Sequence, residues 1–531
     1  MYATEPTLID LVECQNSDGV FLEDTTGSSR TYGQVAHASN QWAAALHLAG
    51  LKRNDTVISF LPTCPEAVEI WLGIAKAGGL EVPLNTRLRG ALLEHQATDS
   101  QAEIAVIAEE FLPRFLDLPK LLSRFRVIVV THRLESANTN PNPDGVVSAA
   151  DFLQRATGHE VAPFHPSRTD TAAIIYTSGT TGPSKGVIVS WAQIAATVRG
   201  SIPVDDLTAD DAYYNPFPLF HIGGKFPIAL AAALGSRVVL RDGFSTWEFW
   251  QDVAKFHCTT TLLLGATANF LYQQPTHPGE SDTPLRNVVM VPLMHNFDEF
   301  ARRFDVRICT TFNMTEISAP LSSEGWYPAN NKTSGHPREG YECRVVDSDD
   351  KPVPPGTPGE LVVRSTDRAA LNGGYWKRPE ATAEAWRGGW FHTGDVFTCD
   401  SEGEFYFVDR LKDAIRRRGE NISSSEVESV VLEHECIAEC AAHAVPSEWG
   451  EDEVKITVVL QPCRTLEPND LIDYLVPRLA DFMVPRYVEF ASELPKTPTQ
   501  KVQKRVLRER GVTESTWDRH AHRTATSSTV K

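Results

Sequence analysis

The stretch from Tyr176 to Val187, Tyr-Thr-Ser-Gly-Thr-Thr-Gly-Pro-Ser-Lys-Gly-Val, constrains this chain more than any other. It follows Ala172-Ala-Ile-Ile, an apolar run short enough to be a buried strand. The hydroxyl and glycine residues from Thr177 to Gly182 do not build a core, but their N–H and O–H groups can surround an oxyanion. Lys185 adds a point charge suited to phosphate. A flexible polar loop is the alternative, but the strand before and the lysine after favour a phosphate-binding loop.

The loop lacks the Walker A pattern of P-loop ATPases, because Ser184 stands where that pattern requires a glycine before the lysine. Thr177-Ser-Gly-Thr-Thr-Gly instead resembles the signature of the adenylate-forming superfamily, which includes acyl- and aryl-CoA ligases, peptide-synthetase adenylation domains and luciferases. Further motifs follow in the order of that family: Phe312-Asn-Met-Thr-Glu316, Trp390-Phe-His-Thr-Gly-Asp395, Asp409-Arg-Leu-Lys-Asp413 and Pro495-Lys-Thr-Pro-Thr-Gln-Lys501. The resemblance therefore covers nearly the whole chain.

The order of predicted elements indicates an α/β chain with more than one domain. At 531 residues the chain is too long for a single core. Predicted strands at 56–61, 104–107 and 126–130 alternate with predicted helices at 39–49 and 66–77. This alternation is typical of layered α/β architecture with largely parallel sheets.

Later segments predict a change of architecture. Short strands broken by turns between 340 and 409 indicate a small β-rich subdomain. Helices at 426–433 and 468–479, with strands at 440–445, 453–460 and 487–490, indicate an α+β domain of about 100 residues. We therefore predict a large N-terminal domain of layered α/β subdomains plus the β-rich subdomain over 1–409, a hinge at 410–412, a small mobile α+β C-terminal domain over 413–512 and a polar, disordered tail over 513–531. The resemblance implies that the small domain rotates about the hinge; an ordinary charged linker is the alternative.

Composition narrows the class of protein. The 50 Lys and Arg against 69 Asp and Glu give a net charge of −19, which disfavours binding to nucleic acid or anionic membranes. The N-terminal residues lack a signal-peptide pattern, and the longest apolar runs are shorter than the roughly 20 residues of a membrane span. The nine cysteines contain no CxxC pair. We expect a cytoplasmic protein with reduced thiols.

The resemblance implies that a carboxylate attacks the α-phosphate of ATP and releases pyrophosphate. Because two anions must meet, cations are needed between them. Lys501 matches the family lysine that bridges the carboxylate, the α-phosphate and the ribose, although a surface lysine is the alternative. Lys185 is the second catalytic cation. Thr315 matches a donor to the α-phosphate, and Glu316 matches the ligand of a phosphate-bound Mg²⁺.

The resemblance also assigns nucleotide contacts. Phe312 stands where a tyrosine usually stacks on adenine, so the stacking face is kept and the hydroxyl is lost. Asp395 resembles the acid that accepts hydrogen bonds from both ribose hydroxyls, and Arg410 is expected to contact the ribose or the phosphates. The full predicted set for ATP and coenzyme A is Thr177, Ser178, Gly179, Thr180, Thr181, Gly182, Phe312, Asn313, Met314, Asp395, Phe407, Arg410, Lys412, Arg418, Gly419 and Glu420.

Two further stretches concern the acyl group and its acceptor. His221 resembles the residue that gates the acyl pocket and the thiol tunnel; a structural histidine is the alternative. Phe220 and His221 stand where amino-acid-activating domains usually carry an aspartate, which disfavours an α-amino acid substrate. Arg416-Arg-Arg-Gly-Glu-Asn-Ile422 resembles the loop that lines the pantetheine tunnel of CoA ligases, most closely those of carnitine/crotonobetaine-type and medium- to long-chain acyl-CoA ligases. Its three arginines are candidates for the CoA phosphates, with a solvated charge run as the alternative.

Several positions depart from the family pattern. Ser184 stands where a proline is expected, and Asn313 and Gln500 stand where glycines are expected. Val291-Pro-Leu-Met replaces a glycine-rich wall of the acyl and adenine pocket. A side chain at Asn313 is expected to occupy a tight loop and narrow the pocket, and one at Gln500 to restrict the loop that carries the catalytic lysine.

The sequence predicts an acyl-CoA ligase, dependent on Mg²⁺ and ATP, that joins a carboxylic acid to CoA through acyl-AMP. Three alternatives stay open: a variant that mainly converts preformed acyl-AMP to acyl-CoA, an adenylating enzyme that loads an acyl carrier protein, and a silent paralogue that binds nucleotide or acyl ligand. Retention of Thr180, Glu316, Asp395 and Lys501 weighs against the silent paralogue. The identity of the acid and the oligomeric state, including a homodimer, are left open.

Overall fold

The computed structural model describes residues 5–131, 145–159, 162–177, 184–276, 279–410, 415–417, 420–422, 424–446, 452–479, 481–497 and 500–520. The chain divides into two compact units. Unit 1 comprises Met1–Cys343 and Val363–His392, and unit 2 comprises Arg344–Val362 and Thr393–Lys531. Each unit has its own hydrophobic core.

Unit 1 combines helices and strands in alternation. Its helices are α1 Leu8–Cys14, α2 Tyr32–Leu48, α3 Pro65–Lys76, α4 Gly90–Asp99, α5 Leu112–Leu116, α6 Pro119–Leu122, α7 Ala149–Arg155, α8 Trp191–Ser201, α9 Ile222–Leu234, α10 Phe249–Lys255, α11 Gly265–Tyr272, α12 Phe297–Phe304 and α13 Pro379–Ala385. Its strands are β1 Val20–Asp24, β2 Ser29–Thr31, β3 Thr56–Phe60, β4 Leu80–Pro83, β5 Ile104–Ala108, β6 Val127–Thr131, β7 Val146–Ser148, β8 Thr171–Thr177, β9 Lys185–Ser190, β10 Ala212–Asn215, β11 Arg237–Leu240, β12 Thr260–Leu263, β13 Asn287–Met290, β14 Arg307–Cys309, β15 Thr311–Met314, β16 Ser318–Ser322 and β17 Thr333–Pro337.

Two mostly parallel sheets form the frame of unit 1. The first has the strand order β14-β13-β12-β10-β11-β1-β2, and only β1 and β2 run antiparallel. The second has the order β4-β3-β5-β6-β7 and is parallel throughout. Strands β3 and β5 are buried at every position, as is typical of parallel sheets with both faces covered. The predicted α/β architecture is confirmed, and β3, β5 and β6 begin within one residue of their predicted starts.

Two antiparallel elements carry the predicted nucleotide motifs of unit 1. Strands β8 and β9 form a hairpin in which Thr177 lies opposite Lys185, so the predicted phosphate loop joins the two strand ends. Strands β15, β16 and β17 pair antiparallel, and β15 contains the start of the Phe312 motif.

Helix α2 begins earlier than the sequence analysis predicts. The helix was expected at 39–49, whereas it runs from Tyr32 to Leu48. The side chain of Thr31 accepts a hydrogen bond from the N–H of Gln34, and the Gln34 side chain accepts one from the N–H of Thr31. This capping box satisfies backbone donors at the helix start, so the helix begins at the cap rather than at the apolar stripe.

Unit 2 is an α+β unit. The chain passes between the units within β18 Tyr341–Val346, β19 Gly359–Ser365 and β20 Phe391–Cys399. The further elements of unit 2 are β21 Phe405–Arg410, β22 Ile415–Arg417, β23 Glu420–Ile422, α14 Ser424–Leu432, β24 Ile437–Pro446, β25 Asp452–Leu460, α15 Pro468–Leu475, β26 Tyr487–Phe490, α16 Lys504–Arg510 and β27 Trp517–Asp518. Strands β20 and β21 pair antiparallel, and β24-β25-β26-β27 form a sheet.

Three boundaries in unit 2 differ from the prediction. Helix α15 ends at Leu475, four residues before the predicted end. Residues 344–362 and 393–409 group with the C-terminal part of the chain rather than with the large domain. Trp517 and Asp518, expected in a disordered tail, form β27 and pair with β26, while residues 521–531 lie outside the described part of the chain.

Two properties of the whole described chain bear on its class. All nine cysteines lie in the described part of the chain, and none of them forms a disulfide there. Within the described residues, the helices are too short or too polar for any of them to span a lipid bilayer.

Candidate active site

The base of the predicted phosphate loop is the end of the β8–β9 hairpin where Thr177 lies opposite Lys185. Lys185 is half-buried, and its Nζ atom lies 5.1 Å from the centroid of the Tyr375 ring. An ammonium over an aromatic face is attracted by the ring quadrupole, which restricts where the lysine points. Thr177 ends β8. The other predicted loop residues, Ser178, Gly179, Thr180, Thr181 and Gly182, lie outside the described part and stay predictions.

Tyr375 also connects this lysine to the predicted magnesium ligand. Its hydroxyl donates a hydrogen bond of 3.3 Å to Oε1 of Glu316, whose side chain is buried. Burial, together with the Glu316 carboxylate, raises the pKa of Tyr375, so the tyrosine stays a protonated donor. Tyr375 is not among the residues predicted from the sequence, because an aromatic residue outside the motifs is indistinguishable from a core residue.

Glu316 fits a magnesium ion held mainly by substrate phosphates. Mg²⁺ prefers oxygen ligands and is commonly bound by one or two carboxylates together with phosphate oxygens. Among the described residues, no group of three or more His, Cys, Asp or Glu side chains is arranged to hold a metal ion. A buried carboxylate connected through Tyr375 to Lys185 matches a phosphate-bound Mg²⁺ better than it matches a metal ion held by protein ligands alone.

The segment 372–376 forms hydrogen bonds with both Glu316 and strand β9. Asn372 is fully buried, and its N–H and Nδ2 both donate to the backbone carbonyl of Glu316, at 2.8 and 2.9 Å. Trp376 donates from its N–H to the carbonyl of Gly186 at 2.7 Å. A Cβ atom on Gly186 would lie 2.7 Å from Ile174, so a glycine is required at this contact. One short segment therefore fixes the positions of both Glu316 and strand β9.

The remaining residues of the Phe312 motif lie on or just after β15. Phe312, Asn313 and Met314 are half-buried, and the register between β15 and β16 shifts between Phe312 and Met314. The carbonyl of Thr315 accepts a 2.5 Å hydrogen bond from Nε2 of the buried Gln193 on α8. Asn313 was expected to occupy a tight loop. It instead lies on a bulged strand, where an asparagine fits without a left-handed backbone.

His221 lies at the N-terminus of α9. Its backbone is extended, and its carbonyl accepts hydrogen bonds from the N–H groups of Gly224 and Lys225 at 3.0 and 3.2 Å. Its ring lies 4.8 Å from the ring of Phe220. A Cβ atom on Gly224 would lie 2.2 Å from the carbonyl oxygen of Pro218, so the turn that presents the histidine requires glycine. The position suits the predicted gating role, which stays a prediction.

In unit 2, the predicted ribose and phosphate contacts lie at paired register positions of two strands. Asp395 is buried on β20 and lies opposite Arg410 on β21. The N–H of Asp395 donates to Oγ1 of Thr393 at 3.1 Å, and Gly394 between them has a left-handed φ of 71°. Phe407, 39% exposed, lies on the same strand as Arg410. Arg410 is described by its backbone alone, and Lys412 lies outside the described part.

Asp409, just before the predicted hinge, anchors the following helix. Its Oδ2 atom accepts hydrogen bonds from the N–H and the hydroxyl of Ser424, at 2.6 and 2.7 Å. Ser424 opens α14, so the carboxylate satisfies a donor of the first turn and lies at the positive end of the helix dipole. Lys504 extends this cluster through a 2.9 Å ion pair with Glu428. Lys504 is therefore a structural cation.

Lys501 lies on a separate hairpin, whose sides meet in a bridge between Lys496 and Val502. The N–H of Gln500 donates to the carbonyl of Thr497 at 2.9 Å, and the N–H of Thr497 donates to the carbonyl of Lys501 at 2.7 Å. The side chain of Lys501 is exposed. Gln500 has a φ of 63°, a left-handed conformation that favours glycine. The turn therefore requires the backbone freedom that the family glycine supplies.

One arginine of the predicted CoA loop, Arg417, is buried inside unit 2 and is not available to bind CoA. Arg417 is buried; its Nε lies 2.7 Å from a carboxylate oxygen of Glu453, and its Nη1 donates to the carbonyls of Phe482 and Val484, both at 2.9 Å. The expectation that all three arginines meet CoA phosphates is wrong for this residue, because its side chain is buried and paired with Glu453 inside the unit. Of the neighbours, Arg416 and Glu420 are described by backbone alone, and Arg418 and Gly419 lie outside the described part.

Comparison with known proteins identifies the class. The model of the AMP-binding enzyme family matches residues 12–376, and the model of the AMP-binding enzyme C-terminal domain matches residues 426–501. These two matches cover most of the chain. The protein therefore belongs to the AMP-binding enzyme family.

Individual relatives narrow the class to the acyl-CoA ligase branch. The crotonobetaine/carnitine–CoA ligase of Proteus mirabilis is 32% identical over 511 residues, covering 94% of this chain and 97% of that protein. The enzyme of the same name from Salmonella typhimurium is 29% identical, covering 90% and 93%. The structure of the anthranilate CoA ligase AuaEII with anthranoyl-AMP gives a TM-score of 0.83 at 24% identity, covering 95% and 97%, which shows the shared fold.

Proposed function

We propose that this protein is an acyl-CoA ligase that joins a carboxylic acid to CoA, using ATP and Mg²⁺, through an acyl-AMP intermediate. The observation that carries the proposal is the linked group of Lys185, Tyr375 and Glu316 at the base of the phosphate loop. It combines a cation for phosphate with a buried carboxylate for the phosphate-bound ion. None of the nine cysteines forms a disulfide in the described part of the chain, which supports a cytoplasmic site of action.

In the first half-reaction, a carboxylate oxygen of the acid forms a bond to the α-phosphorus, and the bond from that phosphorus to the bridging oxygen of pyrophosphate breaks. Lys185 and Lys501 supply positive charge to offset the repulsion between the two anions. Thr315 and the loop donors orient the phosphates. Bound Mg²⁺ would be held by Glu316 and would neutralise phosphate charge.

In the second half-reaction, the thiol sulfur of CoA attacks the acyl carbon and AMP leaves. His221, at the N-terminus of α9, is proposed to control access of the thiol. We propose that the small domain rotates about residues 410–412 between the two half-reactions. The hydrogen bonds from Ser424 to Asp409 join the two sides of this hinge, so the rotation requires them to break.

The acids to test first are those that name the relatives, crotonobetaine and carnitine, followed by medium- and long-chain fatty acids and aryl acids. The phenylalanine and histidine at positions 220 and 221 disfavour α-amino acids, which serve as a negative panel. A relative at 32% identity supports the class of reaction more strongly than the identity of the acid.

The test is acid-dependent release of pyrophosphate from MgATP without CoA, followed by thioester formation when CoA is added. Release with one class of acid, and thioester formation with the same class, is the expected result. Transfer of the acyl group to a carrier protein but not to CoA would instead identify a carrier-loading enzyme. Absence of both half-reactions across the panel, in folded protein, would contradict the proposal.

A second candidate is a variant that mainly converts preformed acyl-AMP to acyl-CoA. The observation that favours it is the left-handed backbone of Gln500 next to the exposed Lys501, because strain at this turn could misplace the adenylating lysine. Synthetic acyl-AMP with CoA separates the two candidates. A fast second half-reaction with little pyrophosphate release would support the variant, and comparable rates would exclude it.

A further inference from the structure

Helix α4 contacts the β8–β9 hairpin on both sides of the phosphate loop. The hydroxyl of Tyr176, the residue before Thr177, donates to Oδ2 of Asp99 at 2.7 Å. Nε2 of Gln96 donates to the hydroxyl of Ser184, the residue before Lys185, at 2.8 Å. One helix thus holds the residues that immediately precede the loop and immediately precede its lysine.

The hydrogen bond between Gln96 and Ser184 involves a buried glutamine side chain. Gln96 is 9% exposed, and its Oε1 atom is buried without a hydrogen-bond partner among the described residues. The hydrogen bond to the Ser184 hydroxyl therefore fixes the orientation of the Gln96 side-chain amide. Nε2 of His95, one residue earlier on α4, lies 3.5 Å from the carbonyl oxygen of Ser184, so the same residue is approached from two side chains.

Asp99, the other residue of α4 that contacts the hairpin, has a second partner. It accepts a hydrogen bond from Tyr176 and also forms an ion pair with Arg378, just before α13. Burial and hydrogen bonding to Asp99 raise the pKa of Tyr176, so its hydroxyl stays a donor. The start of the hairpin loop is therefore fixed independently of the Gln96 contact. The hydrogen bond from Gln96 acts at the other end of the loop, next to the lysine.

We propose that Gln96 is a positioning residue for adenylation, which acts through Ser184 to hold Lys185 against the phosphates. This inference rests on the proposed function. A proline at position 184, as the family pattern has it, would fix the backbone φ directly. A serine does not, and the hydrogen bond from Gln96 supplies the missing restraint. The pair Gln96 and Ser184 thus compensates within this chain for the lost proline.

The test uses Gln96→Leu, Ser184→Ala and the double variant in the full-length protein. Each single variant is expected to lower kcat/KM for MgATP in pyrophosphate release about three- to tenfold, the size of one net hydrogen bond. The double variant is expected to lose no more than either single variant, because both remove the same bond. Conversion of synthetic acyl-AMP and CoA to thioester is expected to stay unchanged, which a general loss of structure would not allow.

Rescue and control variants complete the experiment. Ser184→Pro introduced into Gln96→Leu is expected to restore most of the lost kcat/KM, because the ring replaces the restraint. Thr98→Ala, at an exposed position of α4, is the matched control and is expected to have no effect. Equal losses in both half-reactions, strict additivity in the double variant, or failure of the proline to rescue would overturn the proposal. If Gln96→Leu does not fold, Ser184→Ala and its comparison with Ser184→Pro decide the question.

Calorimetric titration of MgATP separates this inference from the proposed function. Binding needs no turnover, so it reports on Gln96 even in the absence of an active acid. Weaker MgATP binding by Gln96→Leu, restored by Ser184→Pro, supports the positioning role even if the wild type adenylates no acid. Equal MgATP affinity and equal kcat/KM in wild type and Gln96→Leu would contradict the positioning role alone.

Discussion

The two units support their predicted site residues with different chemistry. In unit 1 the supports are neutral amides: Gln193 holds the carbonyl of Thr315, Asn372 holds the carbonyl of Glu316, and Gln96 holds the hydroxyl of Ser184. All three amide side chains are buried, and all are donors to oxygen atoms next to predicted catalytic residues.

In unit 2 the supports are charged. Arg417 pairs with Glu453 inside the unit, Lys504 pairs with Glu428, and Asp409 binds the start of α14. Neutral amides keep their hydrogen bonds across a wide pH range, whereas a buried ion pair depends on both charges and is costly when one partner is removed. We therefore expect these supports in unit 2 to be less tolerant of substitution, and more sensitive to pH, than the amide supports in unit 1.

The largest expected effect is the loss of stability in Arg417→Ala. This change leaves the buried carboxylate of Glu453 without its closest cation and is expected to cost about 3–5 kcal/mol in the free energy of unfolding. Denaturant unfolding measures it. Arg505→Ala is the matched control, because that exposed arginine forms only a helical i,i+4 pair worth about 0.5 kcal/mol or less. Similar losses in both variants would contradict the importance assigned to the buried pair of Arg417 and Glu453.

Lys501→Ala is expected to lower the rate of acid-dependent pyrophosphate release by about 10²–10³, the usual effect of removing a preorganised catalytic group. Its exposed position predicts little change in unfolding. Thioester formation from synthetic acyl-AMP is expected to persist, since that step lacks the meeting of two anions. Arg505→Ala again serves as the control. Equal loss of both half-reactions would exclude a role specific to adenylation.

A pH effect of intermediate size is expected from His443 in unit 2. This histidine is buried on β24, and burial, with the positive charges of Lys455, Lys504 and Arg508 nearby, lowers its pKa to about 4. As the pH drops below about 6.5, His443 becomes protonated in the unfolded chain, whereas in the folded unit it stays neutral down to about pH 4. The free energy of unfolding therefore decreases as the pH is lowered through that window, by about 2 kcal/mol between pH 7 and pH 5.

The measurement is the change in unfolding free energy between pH 7 and pH 5 in wild type and in His443→Gln. The variant cannot titrate and is expected to lose about 2 kcal/mol less over this interval than the wild type. An identical pH dependence in the two proteins would show that other groups control the acid sensitivity. It would also remove one reason to expect that the stability of unit 2 depends on pH.

Asn372→Ala tests the neutral supports of unit 1. The variant leaves the carbonyl of Glu316 with one donor fewer and is expected to cost about 1–3 kcal/mol in unfolding free energy. Displacement of Glu316 is also expected to raise the Mg²⁺ concentration needed for pyrophosphate release. A magnesium titration measures this second effect. A loss of stability larger than that of Arg417→Ala would reverse the comparison between the units.

The smallest effect is expected for Gln500→Gly. A left-handed backbone costs a non-glycine residue about 1 kcal/mol, so the variant is expected to gain up to about that amount in stability. Adenylation should rise slightly, and a rise of more than about tenfold would favour the variant weak in adenylation. Asn313→Gly is the matched control: that residue lies on a strand, where glycine is expected to destabilise by about 0.5–1 kcal/mol.

Local pattern in the sequence was sufficient for much of the fold. Strands such as Thr56–Phe60 and Arg237–Leu240 are apolar runs bounded by polar or turn residues, and their periodicity does not depend on the rest of the chain. The start of α2 was also present in the sequence, as the capping box of Thr31 and Gln34, although the apolar stripe alone predicted a later start. The ordered motifs likewise determined the family.

The supports of the site were decided only by tertiary structure. Gln96 lies 88 residues before Ser184, and Asn372 lies 56 residues after Glu316, so no local pattern relates these partners. Among three consecutive arginines, only the fold shows that Arg417 is buried against Glu453. Secondary structure follows from neighbours along the chain, whereas the free energy of burying a polar side chain depends on every group packed around it.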